Sequence, residues 1–165
     1  MAPVGARVLD LGCGSGQPIA DYLAKHGCGV TGVDGSPTMI AMFRERLPEQ
    51  SWRLADMRGL DLGERFDGLL AWDSVFHLSR DDQRAMFEVF ARHAMAGAPL
   101  LFTSGPADGE AIGEYAGAPL YHASLSEAEY RRRLDENGFD VAGHEVGDLA
   151  LGGHTVWLAV RRDGS

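Results

Sequence analysis

Residues Val8 to Pro18, VLDLGCGSGQP, put an apolar run and an acid ahead of glycine at every second position. Glycine loses more backbone freedom on folding than any other residue, so three within five positions mark a place where side chains are excluded. A buried strand running into such a loop and then into a helix is the ligand-binding first turn of a doubly wound parallel sheet. The dinucleotide form of that turn is G-x-G-x-x-G. Here Gly12, Gly14 and Gly16 are spaced one residue tighter, and Asp10 stands two positions before the first of them. A carboxylate there would face a pyrophosphate with like charge. It suits a ligand with a cationic end.

Outward from this stretch, short apolar runs alternate with amphipathic ones. The pattern predicts one α/β domain over 1–165, a doubly wound, seven-stranded, mostly parallel sheet with helices on both faces. Strands are expected in ARVLDLG, GVTGVDG, SWRLAD, FDGLLAW and APLLFTS. Helices are expected over Gln17–His26, over Ser36–Leu47 with Ser36 as N-cap and Pro37 in the first turn, and from Ser79 to Gly97. Ser126 with Glu129 opens a last helix that ends at Asn137 and Gly138. The runs FDVAGHEVGD and HTVWLAVRR, joined by the short LALGG, predict a closing antiparallel strand pair. Gly105–Ser124 is rich in glycine and proline and is expected to be a long irregular loop.

Composition narrows the function. Of the 165 residues 45% are hydrophobic and 24% charged, the balance of a globular domain. A net charge of −9 argues against a polyanionic partner. Arg131–Arg133, the one basic run, sits among Glu127, Glu129, Asp135 and Glu136 and reads as a solvated helix face. No apolar run approaches the roughly 20 residues of a membrane span, and MAPVGAR lacks signal-peptide character. Cys13 and Cys28 have neither zinc nor redox spacing and are expected to be reduced thiols of a cytoplasmic protein.

Asp34 closes the second predicted strand, 22 residues after Gly12, near the spacing of a carboxylate that bonds ribose hydroxyls. A ribose partner and an acid facing positive charge together fit S-adenosylmethionine, which carries a ribose, an ammonium and a sulfonium but no phosphate. VLDLGCGSG followed by GVDGS resembles the class I S-adenosylmethionine-dependent methyltransferases, small-molecule type, over nearly the whole chain. The resemblance implies that the backbone of Gly12, Cys13 and Gly14 seats the methionine part of the cofactor, with Asp10 and Gly16 in the same loop. It implies that Asp34 chelates the ribose and that Gly35 and Met39 flank the adenine. In LADMRGL, Asp56 would accept from the adenine amino group and the Met57 amide would face the ring. In AWDSVFHL, Trp72 and Asp73 would line the reactive end. Plainer readings stand beside these: Asp34 as a turn former, Asp56 as a cap, Met39 as core and Cys13 as filler beneath the loop.

A sulfonium is already an activated donor, so the protein is left with alignment and, where the acceptor loses a proton, a general base. His77, Tyr121 and His122 are the candidates, on His77's place after strand four and the other two's place before the last helix. Their alternatives are packing and loop anchoring. His26, His93 and His144 read as structural. No Asp-Asn pair follows strand five, no Pro-Cys nucleophile is present, and the segment after Asp73 lacks the prolines of base and glutamine methylases. A metal-independent transfer to a small molecule is the expectation. The first strand begins after about six residues, so the helices that cover the cofactor in many relatives are expected to be absent or trimmed. A non-catalytic cofactor-binding module that needs a partner is therefore the alternative, and a nicotinamide oxidoreductase the third reading.

Overall fold

β1 (Arg7–Leu11) is buried from Val8 onward, because it lies at the centre of the sheet. In the computed structural model, which describes residues 3–115, 117–147 and 155–163, it pairs in parallel with β2 (Gly29–Asp34) on one side and β4 (Gly68–Ala71) on the other. β3 (Ser51–Leu54) extends the sheet beyond β2, and β5 (Pro99–Ser104) beyond β4, both in parallel. β9 (Thr155–Arg161) is antiparallel to β5, and β8 (Phe139–Glu145) is antiparallel to β9. The order β3-β2-β1-β4-β5-β9-β8 is the expected seven-stranded sheet with its closing antiparallel pair. The chain passes from β1 outward through β2 and β3 and then crosses back to β4 on the other side of β1, so a crevice opens at the carboxyl ends of β1, β2 and β4.

The helices begin where local chemistry sets them. The Oγ atoms of Ser36, Ser79 and Ser126 accept from the amides of Met39, Asp82 and Glu129, capping α2 (Pro37–Arg46), α3 (Arg80–His93) and α4 (Glu127–Glu136). α1 (Ile19–Lys25) is shorter than its sequence suggests and has no side-chain cap. The two larger clusters of buried residues among those described lie on opposite faces of the sheet. Cys13, Ala20, Val30, Ile40, Phe43 and Leu47 lie under α1 and α2. On the other face, Phe87 and Phe90 of α3 and Tyr130 of α4 meet Phe102 and Trp157, whose rings stack at 5.9 Å. Helices thus cover both faces.

One expectation is corrected. Much of the stretch read as an irregular loop over Gly105–Ser124 is a second, two-stranded antiparallel sheet, β6 (Gly109–Tyr115) with β7 (Ala118–Ser124). Small residues at Gly109, Ala111 and Gly113 hide the alternation that marks a half-buried strand. The hairpin holds through distant partners instead: Gln83 Nε2 donates to the Ala123 carbonyl at 2.9 Å and the Gly105 amide to Ser124 Oγ at 2.7 Å. Among the other readings, His93 is fully buried and bonds Val89 O and the Leu62 amide, a structural role. His144 stacks on Trp157 at 3.8 Å. Arg131, Arg132 and Arg133 each pair with acids on their own helix, as a solvated face does. Cys13 and Cys28 are free and buried. His154 and the LALGG connection lie outside the described residues. Among the described residues, no helix is long and apolar enough to cross a membrane.

Candidate active site

Two clefts meet at the carboxyl end of the sheet, divided by Gly12 and Asp73, which wall both. The larger, of about 590 Å³, is lined by Asp34, Gly35, Leu54, Asp56, Met57 and Arg58 at one end and by Ser74, His77 and Leu78 at the other. The smaller, of about 430 Å³, is lined by Asp10, Cys13, Gly14, Gly16 and Trp72 together with the start of α1. Of the cofactor candidates, only Met39 is not a wall residue of either cleft. It sits in the first turn of α2, exposed.

The glycine loop explains its own composition. A Cβ on Gly12 would overlap Ser74 Cβ, and the close approach is fixed because Ser74 Oγ donates to the Leu11 carbonyl at 2.7 Å. Gly14 has φ +54°, which side chains disfavour, and a Cβ there would meet nothing within 4 Å. Gly16 lies against Phe43 and Leu47. The amides of Gly12 and Cys13 both donate to the Val33 carbonyl, at 2.8 and 3.0 Å, and the Gly14 amide donates to Asp34 Oδ2 at 2.9 Å. Three loop amides are thus committed inside the protein. A phosphate cradle needs such amides free, so the loop is a close seat for backbone contact and not an anion nest.

The charges around it agree. Asp10 is buried, and burial pushes its carboxyl up to about 7, with the Asp34 carboxylate adding to the rise. Burial, then Asp10 and Asp34, raises the Cys13 thiol well above its usual range, so it is protonated and inert. Asp34 is held from both sides, Oδ2 by Gly14 and Oδ1 by the Ser36 amide at 2.8 Å. Each oxygen keeps a lone pair for a ligand hydroxyl. Asp73 has φ +48°, uncommon for a residue with a side chain, and its amide donates to Thr103 Oγ1 at 2.8 Å. Hydrogen bonds from Arg58 hold the Asp56 carboxyl below the usual range.

Of the three catalytic candidates, His77 alone lines the large cleft, and Tyr121 and His122 are neighbours of its ring. His77, in a single 3₁₀ turn at Val75–His77, faces the Tyr121 carbonyl with Nδ1 at 3.1 Å. A carbonyl only accepts, so Nδ1 is the donor in this contact. The His122 ring lies 4.9 Å from that of His77 and 5.3 Å from that of Phe76, with its Nε2 enclosed and without a partner. Tyr121 contributes its carbonyl. Its hydroxyl turns to Glu110, and burial followed by that carboxylate raises its pKa, so the phenol stays protonated.

Sequence reasoning missed Leu54 and Arg58. Leu54 is an apolar side chain left 52% exposed in the cleft, and its signal is its place at the end of an edge strand beside Asp34. Arg58 follows Asp56 by two residues and binds it by a forked pair.

Comparison with known proteins sets this geometry in a family. The methyltransferase domain family matches residues 8–97. A magnesium-protoporphyrin O-methyltransferase from Rhodobacter capsulatus is 35% identical over 108 residues, covering 62% of this chain and 46% of that protein. An O-methyltransferase from Pyrenophora dematioidea is 31% identical over 149 residues, covering 83% of this chain and 55% of that protein. The chain thus spans about half the length of these curated relatives. Magnesium protoporphyrin IX methyltransferase from Synechocystis PCC 6803, solved with bound SAM, shares the fold at a TM-score of 0.75 and 23% identity, over 96% of this chain and 71% of that one. The strand order agrees with that fold, and the matched residues decide the family: the chain belongs to the methyltransferase domain family.

Proposed function

We propose that the two clefts together bind S-adenosylmethionine and that the domain transfers its methyl group to a small-molecule acceptor. The observation that carries this reading is the inward commitment of the Gly12, Cys13 and Gly14 amides beside the carboxyls of Asp10 and Asp34. The site is built for a ribose and a cation, not for a pyrophosphate. Asp34 would take the ribose hydroxyls, Leu54 and Met57 the faces of the adenine, and Asp56 its amino group. The glycine loop, with Asp10 beneath it and Trp72 and Asp73 beside it, would hold the methionine part. The bound cofactor supplies a methyl group already activated by its sulfonium. His77 bounds the large cleft with Nδ1 engaged by the Tyr121 carbonyl, which leaves Nε2 as the ring atom that would take a proton from an acceptor hydroxyl or amine. His122 and Phe76 fix the ring from behind.

A small-molecule acceptor is supported by the net charge of −9 and by the internally paired arginines. The name of the Rhodobacter capsulatus relative, a magnesium-protoporphyrin O-methyltransferase, points the same way. The two buried free thiols suit a reducing compartment, and the cytoplasm is the location we assign.

Calorimetry with S-adenosylhomocysteine and with NADH tests the cofactor, and transfer of a labelled methyl group to a panel of hydroxyl and amine acceptors tests the activity. Binding of the homocysteine nucleoside with turnover of an acceptor is expected. Binding with no transfer, even when cell extract is added, would make the domain a binding module. NADH binding alone would overturn the reading.

A further inference from the structure

Arg58 lies in the loop after β3 and closes on Asp56 with its whole donor set. Its Nε is 3.0 Å from both Asp56 oxygens, Nη2 donates to Oδ2 at 2.6 Å, and its own amide donates to Oδ1 at 2.9 Å. Its remaining terminal nitrogen, Nη1, donates to Asp82 Oδ2 at 3.2 Å, in the first turn of α3, where Ser79 Oγ also donates to the same oxygen. The guanidinium therefore ties the Asp56 carboxylate to a second element, 24 residues away in sequence.

Both side chains are about half exposed, so the pair adds little to stability. Its geometry matters more. A carboxylate offers about four lone-pair positions, and Arg58 sends three N–H groups to them: its amide to Oδ1, Nη2 to Oδ2 and Nε shared between the two. What remains is one acceptor in a fixed direction, on a residue that walls the large cleft.

We propose that Arg58 is a positioning residue that sets base selectivity, holding Asp56 so that the cleft accepts a 6-aminopurine nucleoside and rejects its 6-oxo counterpart. The inference rests on the cleft being the adenosyl site. The chemistry follows from the two bases. Adenine presents an amino donor at position 6. Hypoxanthine presents an oxygen there and an N–H donor at position 1. A carboxylate free to swing can turn to that N–H and accept both bases. A carboxylate locked by a fork meets the oxygen with like polarity and cannot follow.

The test is calorimetric titration of the full chain with S-adenosylhomocysteine and with S-inosylhomocysteine. The wild type is expected to prefer the amino form by roughly 30-fold, as befits one charge-assisted hydrogen bond. In Arg58→Gln the preference should fall to about threefold or less, with the melting temperature unchanged, as expected for an exposed pair. Arg58→Lys keeps the charge but loses the fork, and should lose the preference as well. An undiminished preference in Arg58→Gln overturns the positioning role. A lysine variant that keeps the full preference also overturns it, because charge alone would then suffice. If the wild type binds neither nucleoside, the adenosyl reading of the cleft itself falls.

Discussion

Asp10→Asn should move stability and ligand affinity in opposite directions. The buried carboxyl is raised from 3.8 to about 7 in the folded chain. The folded form therefore holds the Asp10 proton more tightly than the unfolded chain does. A raised acid contributes no penalty below its unfolded value; the penalty grows as pH climbs from 3.8 to about 7 and is constant above. At about 1.4 kcal/mol per tenfold step in proton activity, the full penalty is about 4 kcal/mol. Asparagine keeps the shape and never ionises. The variant is expected to be more stable than the wild type by about 2 kcal/mol near pH 5 and by up to about 4 kcal/mol at pH 8. In a domain of this size that corresponds to a rise in Tm of roughly 10 °C at pH 8. Guanidinium unfolding at a series of pH values reads the difference directly. Affinity for S-adenosylmethionine should fall by roughly 10- to 100-fold, since a cationic group loses its charged partner. In the wild type a cation beside Asp10 should restore ionisation, so binding at pH 7 should release part of a proton, visible as a heat that depends on the buffer. A stability difference that is absent at pH 8, or that does not shrink toward pH 5, refutes the assignment of Asp10 as a carboxyl held against its own charge.

Asp34→Ala removes the ribose partner and also frees the Gly14 and Ser36 amides; affinity for S-adenosylhomocysteine by calorimetry should fall by about 3 kcal/mol, two charge-assisted bonds, and an unchanged affinity rules out the ribose role. Gly12→Ala and Gly14→Ala separate packing from ligand contact. The first forces a Cβ into Ser74 and should cost about 3 kcal/mol of stability by urea titration, whereas the second meets no atom within 4 Å, should cost about 1 kcal/mol, and should act chiefly on cofactor affinity. Equal losses of stability in the two would contradict this account of the loop. His77→Gln should lower kcat by roughly 100-fold or more with cofactor affinity retained, read with the acceptor found in the labelled-methyl screen; an intact kcat would leave His77 a wall residue.

Much of the fold was legible because its determinants are local. Ser36, Ser79 and Ser126 each cap a helix with an amide three residues away, and an amide three residues on is all that such a reading needs. The buried strands announce themselves as continuous apolar runs between glycine turns. The hairpin over Gly109–Ser124 does not, because its support comes from the Gln83 and His77 side chains 40 and 44 residues away, and no local pattern encodes those bonds.

The site divides along the same line. Asp34 was found by its spacing from the loop, and Asp10 by its placement before it. Arg58 escaped notice because an arginine two residues after an aspartate has no meaning until Asp82, in a helix distant in sequence, holds its remaining nitrogen. The loop's chemistry is the sharpest case. Its glycines are equally compatible with free amides and with committed ones, and only the acid at position 10 hinted at the choice. The structure decides it through bonds to Val33 and Asp34, which lie on the neighbouring strand. A glycine pattern thus states how near a ligand comes, while the register of the next strand states which charge it carries. That register is fixed by the parallel pairing of β1 with β2, so in this sheet the choice between anion and cation is made by strand pairing as much as by the loop residues themselves.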